Sequence, residues 1–180
     1  MQSYLLEVKN YSFDFLISLQ IDSFDKNLKM KAKITTNKGE MIAELYVNET
    51  PIAAKNFIKL ANDGFYNGLK WHRVLPDFVI QGGCPNSREG ASGMPGTGGP
   101  GYQIPCEVTA EKQHHEKGVL SMAHAGRNTG GSQFFICHSR NNTAHLDGNH
   151  TCFGKVIEGL DVIDDIRQGD SIDLIKIITE

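Results

Sequence analysis

The stretch WHRVLPDFVIQGG, Trp71 to Gly83, decides how this chain is read. It holds two short apolar runs, Trp71–Leu75 and Phe78–Gln81, and it ends in a glycine pair. Runs of this length, rich in aromatic and branched residues and bounded by turn residues, read as strands. The same pattern recurs downstream as Val119–Ala123, Gln133–Cys137 and Cys152–Val156, with Ile172–Ile178 as a closing strand. Upstream, Met41, Ala43, Leu45 and Val47 alternate with more polar neighbours. That is a half-buried strand, with Lys31–Thr36 as its hairpin partner across Asn37-Lys38-Gly39. Two helices are predicted. Thr50-Pro51 gives an N-cap and a first-turn proline, Ile52, Ala53, Phe57, Leu60 and Ala61 follow at helical spacing, and Gly64 stops the run. Glu158–Gln168 carries Leu160, Val162, Ile163 and Ile166 before Gly169. Many strands, two helices far apart and no alternating strand–helix rhythm predict a mainly β fold, a closed antiparallel barrel capped by helices.

Composition narrows the function classes. A length of 180 residues fits one domain with a short extension. Glycine is over-represented at 19 residues, against a usual share of roughly 7%, which suits a fold of tight turns and close backbone approaches. Lys+Arg is 18 and Asp+Glu is 21, so no positive excess exists to drive nucleic-acid binding. No run is long and apolar enough for a membrane helix. The N-terminal stretch is broken by Glu7, Lys9 and Asp14 and does not read as a signal peptide, so a cytoplasmic location is expected. Residues 1–29 lack Gly and Pro and carry apolar pairs such as Leu5-Leu6. They read either as an added packed element or as an extension ahead of a domain spanning 30–180. Cys84, Cys106, Cys137 and Cys152 contain no Cys-x-x-Cys pair. A zinc site from Cys137, His138, His150 and Cys152 competes with the ordinary reading of free thiols acting as small hydrophobes, which the weak spacing favours. His114-His115 lies in a charged stretch and reads as a solvated turn.

The chemistry centres on Arg73. A guanidinium is always charged and is not buried unpaired, so a lone strand arginine ordinarily points to solvent. Here Gln81 and Gln133 offer neutral partners that would hold the fork without quenching its charge. Such an arginine beside apolar walls is suited to hydrogen-bond a ligand. In SMAHAGRNTGGSQFFI, Ser121 to Ile136, strand alternation puts Gln133 and Phe135 on one face and Phe134 and Ile136 on the other. AHLDGNHTCFGKV, Ala144 to Val156, brings Leu146 and His150 around an Asp-Gly turn; the plain alternative for His150 is a structural histidine. GTGGPG, Gly96 to Gly101, matches neither a Walker loop nor a dinucleotide fingerprint.

These three segments, in order, resemble the cyclophilin family of peptidyl-prolyl cis-trans isomerases. The resemblance runs from about Met30 to the C-terminus, and the loop MPGTGGPGYQIPCE, Met94 to Glu107, is similar to that of small prokaryotic single-domain members. It implies an eight-stranded antiparallel barrel closed by two helices. It implies rotation about X-Pro bonds, and hence proline-containing polypeptides as partners, with no cofactor or metal. A monomer is expected, with neither nucleic acid nor membrane as partner. Arg73 matches the family's catalytic arginine and Gln81 the residue bracing it. Phe78, Val79, Phe135, Leu146 and His150 match the proline pocket, and Gln133 the glutamine on the neighbouring strand. Ala123, His124 and Ala125 match the strand edge that pairs with substrate backbone. Three positions depart from the pattern: Val79 stands where methionine is common, His124 where asparagine is, and His145 where many members carry tryptophan. The last implies weak cyclosporin binding. Two other readings are a proline-peptide binding module with little turnover and a metal hydrolase, for which no ordered ligand spacing exists.

Overall fold

The computed structural model describes residues 29–179. The expected extension, apart from Lys29, lies outside the described residues. Nine strands form one antiparallel sheet: β1 (Met30–Thr36), β2 (Gly39–Leu45), β3 (Leu69–Lys70), β4 (Arg73–Leu75), β5 (Val79–Gly82), β6 (Val119–Met122), β7 (Phe134–Cys137), β8 (Cys152–Glu158) and β9 (Ser171–Thr179). Their order across the sheet is β3-β9-β1-β2-β8-β6-β7-β5-β4.

The two end strands, β3 and β4, are separated in sequence only by Trp71 and His72. Trp71 continues the pairing with the β9 side: its N–H donates to the Asp170 carbonyl and its carbonyl accepts from the Gly169 N–H, both at 2.9 Å. One extended run therefore pairs first with β9 and then, beyond a kink, with β5. This corrects the eight-stranded expectation. The run expected over Trp71–Leu75 is a strand only from Arg73, and a ninth strand, β3, lies just upstream at Leu69–Lys70; the ends of the sheet are joined by the chain rather than by a ladder. The Trp71 side chain is fully buried at the kink and packs edge-on against Phe134 at 5.7 Å.

The first helix, α1 (Pro51–Asn62), buries Ala53, Ala54, Phe57, Leu60 and Ala61. Phe57 meets Tyr66, Phe134 and Phe153 at ring separations of 5.1–5.3 Å, an aromatic cluster that ties α1 to the barrel core. Thr50 sits at the cap position, but its hydroxyl is turned inward to the carbonyls of Tyr46 and Cys152. The free N–H groups of Ile52 and Ala53 are met instead by both oxygens of Glu107, at 3.1 and 2.9 Å. The negative carboxylate also suits the positive helix end. The later helix is shorter than expected: α3 (Leu160–Asp165) begins after Gly159, whose φ of 76° permits the sharp entry. Sequence reading missed the short α2 (Arg140–Thr143) and two 3₁₀ turns, Pro85–Ser87 and Ala144–Leu146.

Strand alternation sorts β7 as predicted. Phe134 and Ile136 join the main core, whereas Phe135 and Cys137 face a second cluster with Tyr46, Val79, Val119 and Cys152. Phe78, Ala123 and Leu146 pack on that second cluster. Gly83, at φ 83°, passes so close to the Ser132 carbonyl that any Cβ would collide with it.

Candidate active site

A cleft of ≈ 750 Å³ opens over the second cluster. The sheet register builds its floor. Arg73 pairs with Gln81, Gln81 with Phe135, and Phe135 with Ser121, across β4, β5, β7 and β6. Directly paired residues share a face, so Arg73, Gln81 and Phe135 project to the same side.

The Arg73 Nη1 donates to Gln81 Oε1 at 3.3 Å. Gln81 Nε2 donates to Gln133 Oε1 at 3.1 Å. The guanidinium carbon lies 6.0 Å from the centre of the Phe78 ring, and no ion pair to Arg73 exists among the described residues. Among the described residues, none that lines the cleft is acidic. The cation is therefore held by a neutral amide and keeps its full charge. Gln133 reaches Arg73 only through Gln81.

The apolar wall is made by Phe78, Val79, Phe135 and Leu146. Phe78 is presented by the tight turn Leu75–Phe78, closed by a 3.1 Å backbone bond, with Asp77 at φ 62°. Asn142 Nδ2 on α2 holds that turn through the Asp77 carbonyl at 2.9 Å. His150 crosses the edge of Phe135 at 5.5 Å and donates from Nδ1 to the Met122 carbonyl at 3.0 Å. Burial holds its pKa below the ordinary value, with the bond to the Met122 carbonyl opposing. His124 stacks on His150 with centroids 4.1 Å apart. Its Nδ1 accepts from the Gly126 N–H and its Nε2 donates to the Asn149 carbonyl, which fixes one tautomer.

Twelve site residues are predicted from sequence, and eleven of them line this cleft: Arg73, Gln81, Phe78, Val79, Ala123, His124, Ala125, Gln133, Phe135, Leu146 and His150. His145 does not. It is exposed and stacks on Phe78 at 5.7 Å and 13°, so it meets the cleft only through that ring.

Residues 31–178 match the cyclophilin type peptidyl-prolyl cis-trans isomerase family. The chain belongs to the cyclophilin family. A peptidyl-prolyl cis-trans isomerase of Helicobacter pylori is 53% identical over 144 residues, covering 79% of this chain and 83% of that one. Peptidyl-prolyl cis-trans isomerase B of Bacillus subtilis is 51% identical over 134 residues, covering 74% and 87%. A crystal structure of a Cryptosporidium parvum cyclophilin superposes with a TM-score of 0.74 at 31% identity, covering 84% of this chain and 99% of that one.

The reading of His114-His115 as a solvated turn holds for His114 and fails for His115. This cyclophilin buries His115 completely, stacked on Phe135 at 5.8 Å. Its Nδ1 bonds Asp147 Oδ1 and its Nε2 meets Ser121 Oγ, both at 2.9 Å. Burial depresses the His115 pKa, with Asp147 opposing. The Arg140 guanidinium grips Asp147 at 2.7–2.8 Å and holds that carboxyl far below the usual range, with His115 assisting. The chain Arg140–Asp147–His115 thus supports Phe135 from behind. In sequence it shows only as a histidine three positions before Gly118, the glycine that precedes β6, and charge-based reading passed over it.

Cys84, Cys137 and Cys152 are buried free thiols and Cys106 is half-buried. Burial pushes the Cys137 thiol up to about 12. Among the described residues, no group of three or more His, Cys, Asp or Glu could hold a metal ion, and no helix is long and apolar enough to cross a membrane.

Proposed function

We propose that this cyclophilin catalyses rotation about X-Pro bonds in polypeptides, with Arg73 as the catalytic residue. The observation that carries the reading is an unneutralised guanidinium, braced by Gln81, at the rim of an apolar pocket. Rotation must break amide resonance, at a barrier of roughly 20 kcal/mol. In the twisted state the proline nitrogen regains a lone pair and accepts a hydrogen bond; in the planar state it accepts poorly. A donor aimed at that nitrogen therefore binds the transition state better than the substrate. Arg73 serves as donor and fixed charge and keeps its proton throughout. Phe78, Val79, Phe135, Leu146 and His150 hold the proline ring while the other side of the bond turns. The strand edge Ala123–Ala125 binds substrate backbone. Its Ala123 and Ala125 N–H groups already have internal acceptors, the Gln133 carbonyl and Thr129 Oγ1, so the His124 N–H is the amide donor this edge offers a peptide.

In the cell this activity would assist folding of proline-containing chains in the cytoplasm. The test is a protease-coupled isomerisation assay on a short X-Pro peptide. Acceleration over the uncatalysed rate is expected. Tight peptide binding without acceleration would instead make the protein a proline-peptide binding module.

A further inference from the structure

We propose that Cys84, outside the cleft, positions Arg73 through the Gly96–Gly98 backbone and the two glutamines. The inference rests on the catalytic reading of Arg73. The buried Cys84 Sγ accepts from the Gly96 N–H at 3.1 Å and from the Gly98 N–H at 3.3 Å. The carbonyls of the same two glycines both accept from Gln133 Nε2, at 2.8 Å. Gln133 Oε1 then accepts from Gln81 Nε2, and Gln81 Oε1 accepts from Arg73.

This relay has a direction. Carbonyls only accept, so they draw the NH₂ group of Gln133 toward the loop and leave its oxygen facing Gln81. Gln81 is oriented in turn, and its own oxygen faces the guanidinium, which only donates. With either amide reversed, two acceptors or two donors would oppose each other. The acceptor that Arg73 leans on is thus set by two loop carbonyls, whose own glycine N–H groups share one sulfur acceptor. Asn86 separately holds the Met94–Thr97 turn, in which Gly96 sits, through the Met94 carbonyl and the Thr97 hydroxyl. Losing the sulfur should therefore shift the two glycines without releasing the loop. Misplacement of a catalytic group by a fraction of an ångström lowers the rate while leaving the proline pocket, and so peptide binding, intact.

The test compares wild type, Cys84→Ala and Cys84→Ser by kcat/KM, by peptide Kd, and by hydrogen exchange of the Gln133 side-chain amide in labelled protein. In wild type both Gln133 amide protons should be protected. Cys84→Ala should lower kcat/KM by about three- to tenfold, change Kd by less than about twofold, and expose those protons. Cys84→Ser keeps an acceptor and should restore both the rate and the protection. A Cys84→Ala protein with the wild-type rate, or a slowed one with the Gln133 protons still protected, overturns the relay. Should the variants not fold, the wild-type spectrum decides: exposed Gln133 protons refute it and protected ones support it. A wild type inactive on X-Pro peptides would instead remove the isomerase reading, leaving the amide protection to report on the relay itself.

Discussion

At the residue scale, Arg73 is exposed at the cleft rim and bonded to Gln81, so taken alone it reads as an ordinary solvent-facing strand arginine. Its role is legible only from the three segments that, in order, resemble the cyclophilin family. His145 is a different case. Its number places it beside Leu146, yet its ring lies over the outer face of Phe78 rather than in the cleft. A tryptophan there would extend that face and add an indole N–H donor. His145→Trp should therefore tighten cyclosporin by roughly 1–2 kcal/mol. It should change kcat/KM on a short peptide by less than about threefold, since such a peptide needs only the pocket beneath. Inhibition titrations of both proteins decide it, and equal inhibition constants would show that this rim is not used. His115 marks the limit of sequence reading: nothing local says that a histidine flanked by His114 and Glu116 turns inward, because its partners Ser121 and Asp147 are brought to it by the sheet and the Ala144–Leu146 turn.

At the element scale, hydrophobic patterning located eight of the nine strands to within a few residues, since burial on one face sets the pattern. It missed β3, Leu69–Lys70, and with it the break at Trp71-His72 between β3 and β4. That break comes from tertiary pairing, with Asp170 on one side of His72 and Gln81 on the other. The α1 cap shows the same limit. Thr50-Pro51 marks the helix start, but the acceptor is Glu107, more than fifty residues away. For the N-terminal segment we propose that the domain is complete from β1. Met30 pairs with Thr179 and the β1 ladder to β9 runs its full length. A chain starting at Met30 is expected to fold and to keep full isomerase activity. Circular dichroism and the peptide assay check this, and an insoluble or inactive product would make residues 1–29 integral.

At the scale of the whole molecule, buried histidines shape the pH response. His72, His115, His138 and His150 are each held below the ordinary value of 6.5, first by burial. A depressed folded-state pKa means that the unfolded chain binds more protons. Their contribution to stability is complete above about 6.5 and is lost as pH falls through the folded values. Asp147 and Asp170 are also depressed, but their contribution is lost only below about pH 4. The melting temperature should thus begin to fall between pH 7 and 5, by at least about 2 °C, before carboxylate protonation adds to the loss. A melting temperature that is flat or rising toward pH 5 would contradict this.

The central claim is that Arg73 stabilises the twisted bond rather than the bound peptide. Wild type and Arg73→Ala should be compared for kcat/KM in the protease-coupled assay and for affinity toward the same peptide, at matched stability. We expect kcat/KM to fall at least tenfold, about 1.4 kcal/mol or more of transition-state binding, with affinity changed far less. Equal rates in the two proteins would contradict the account.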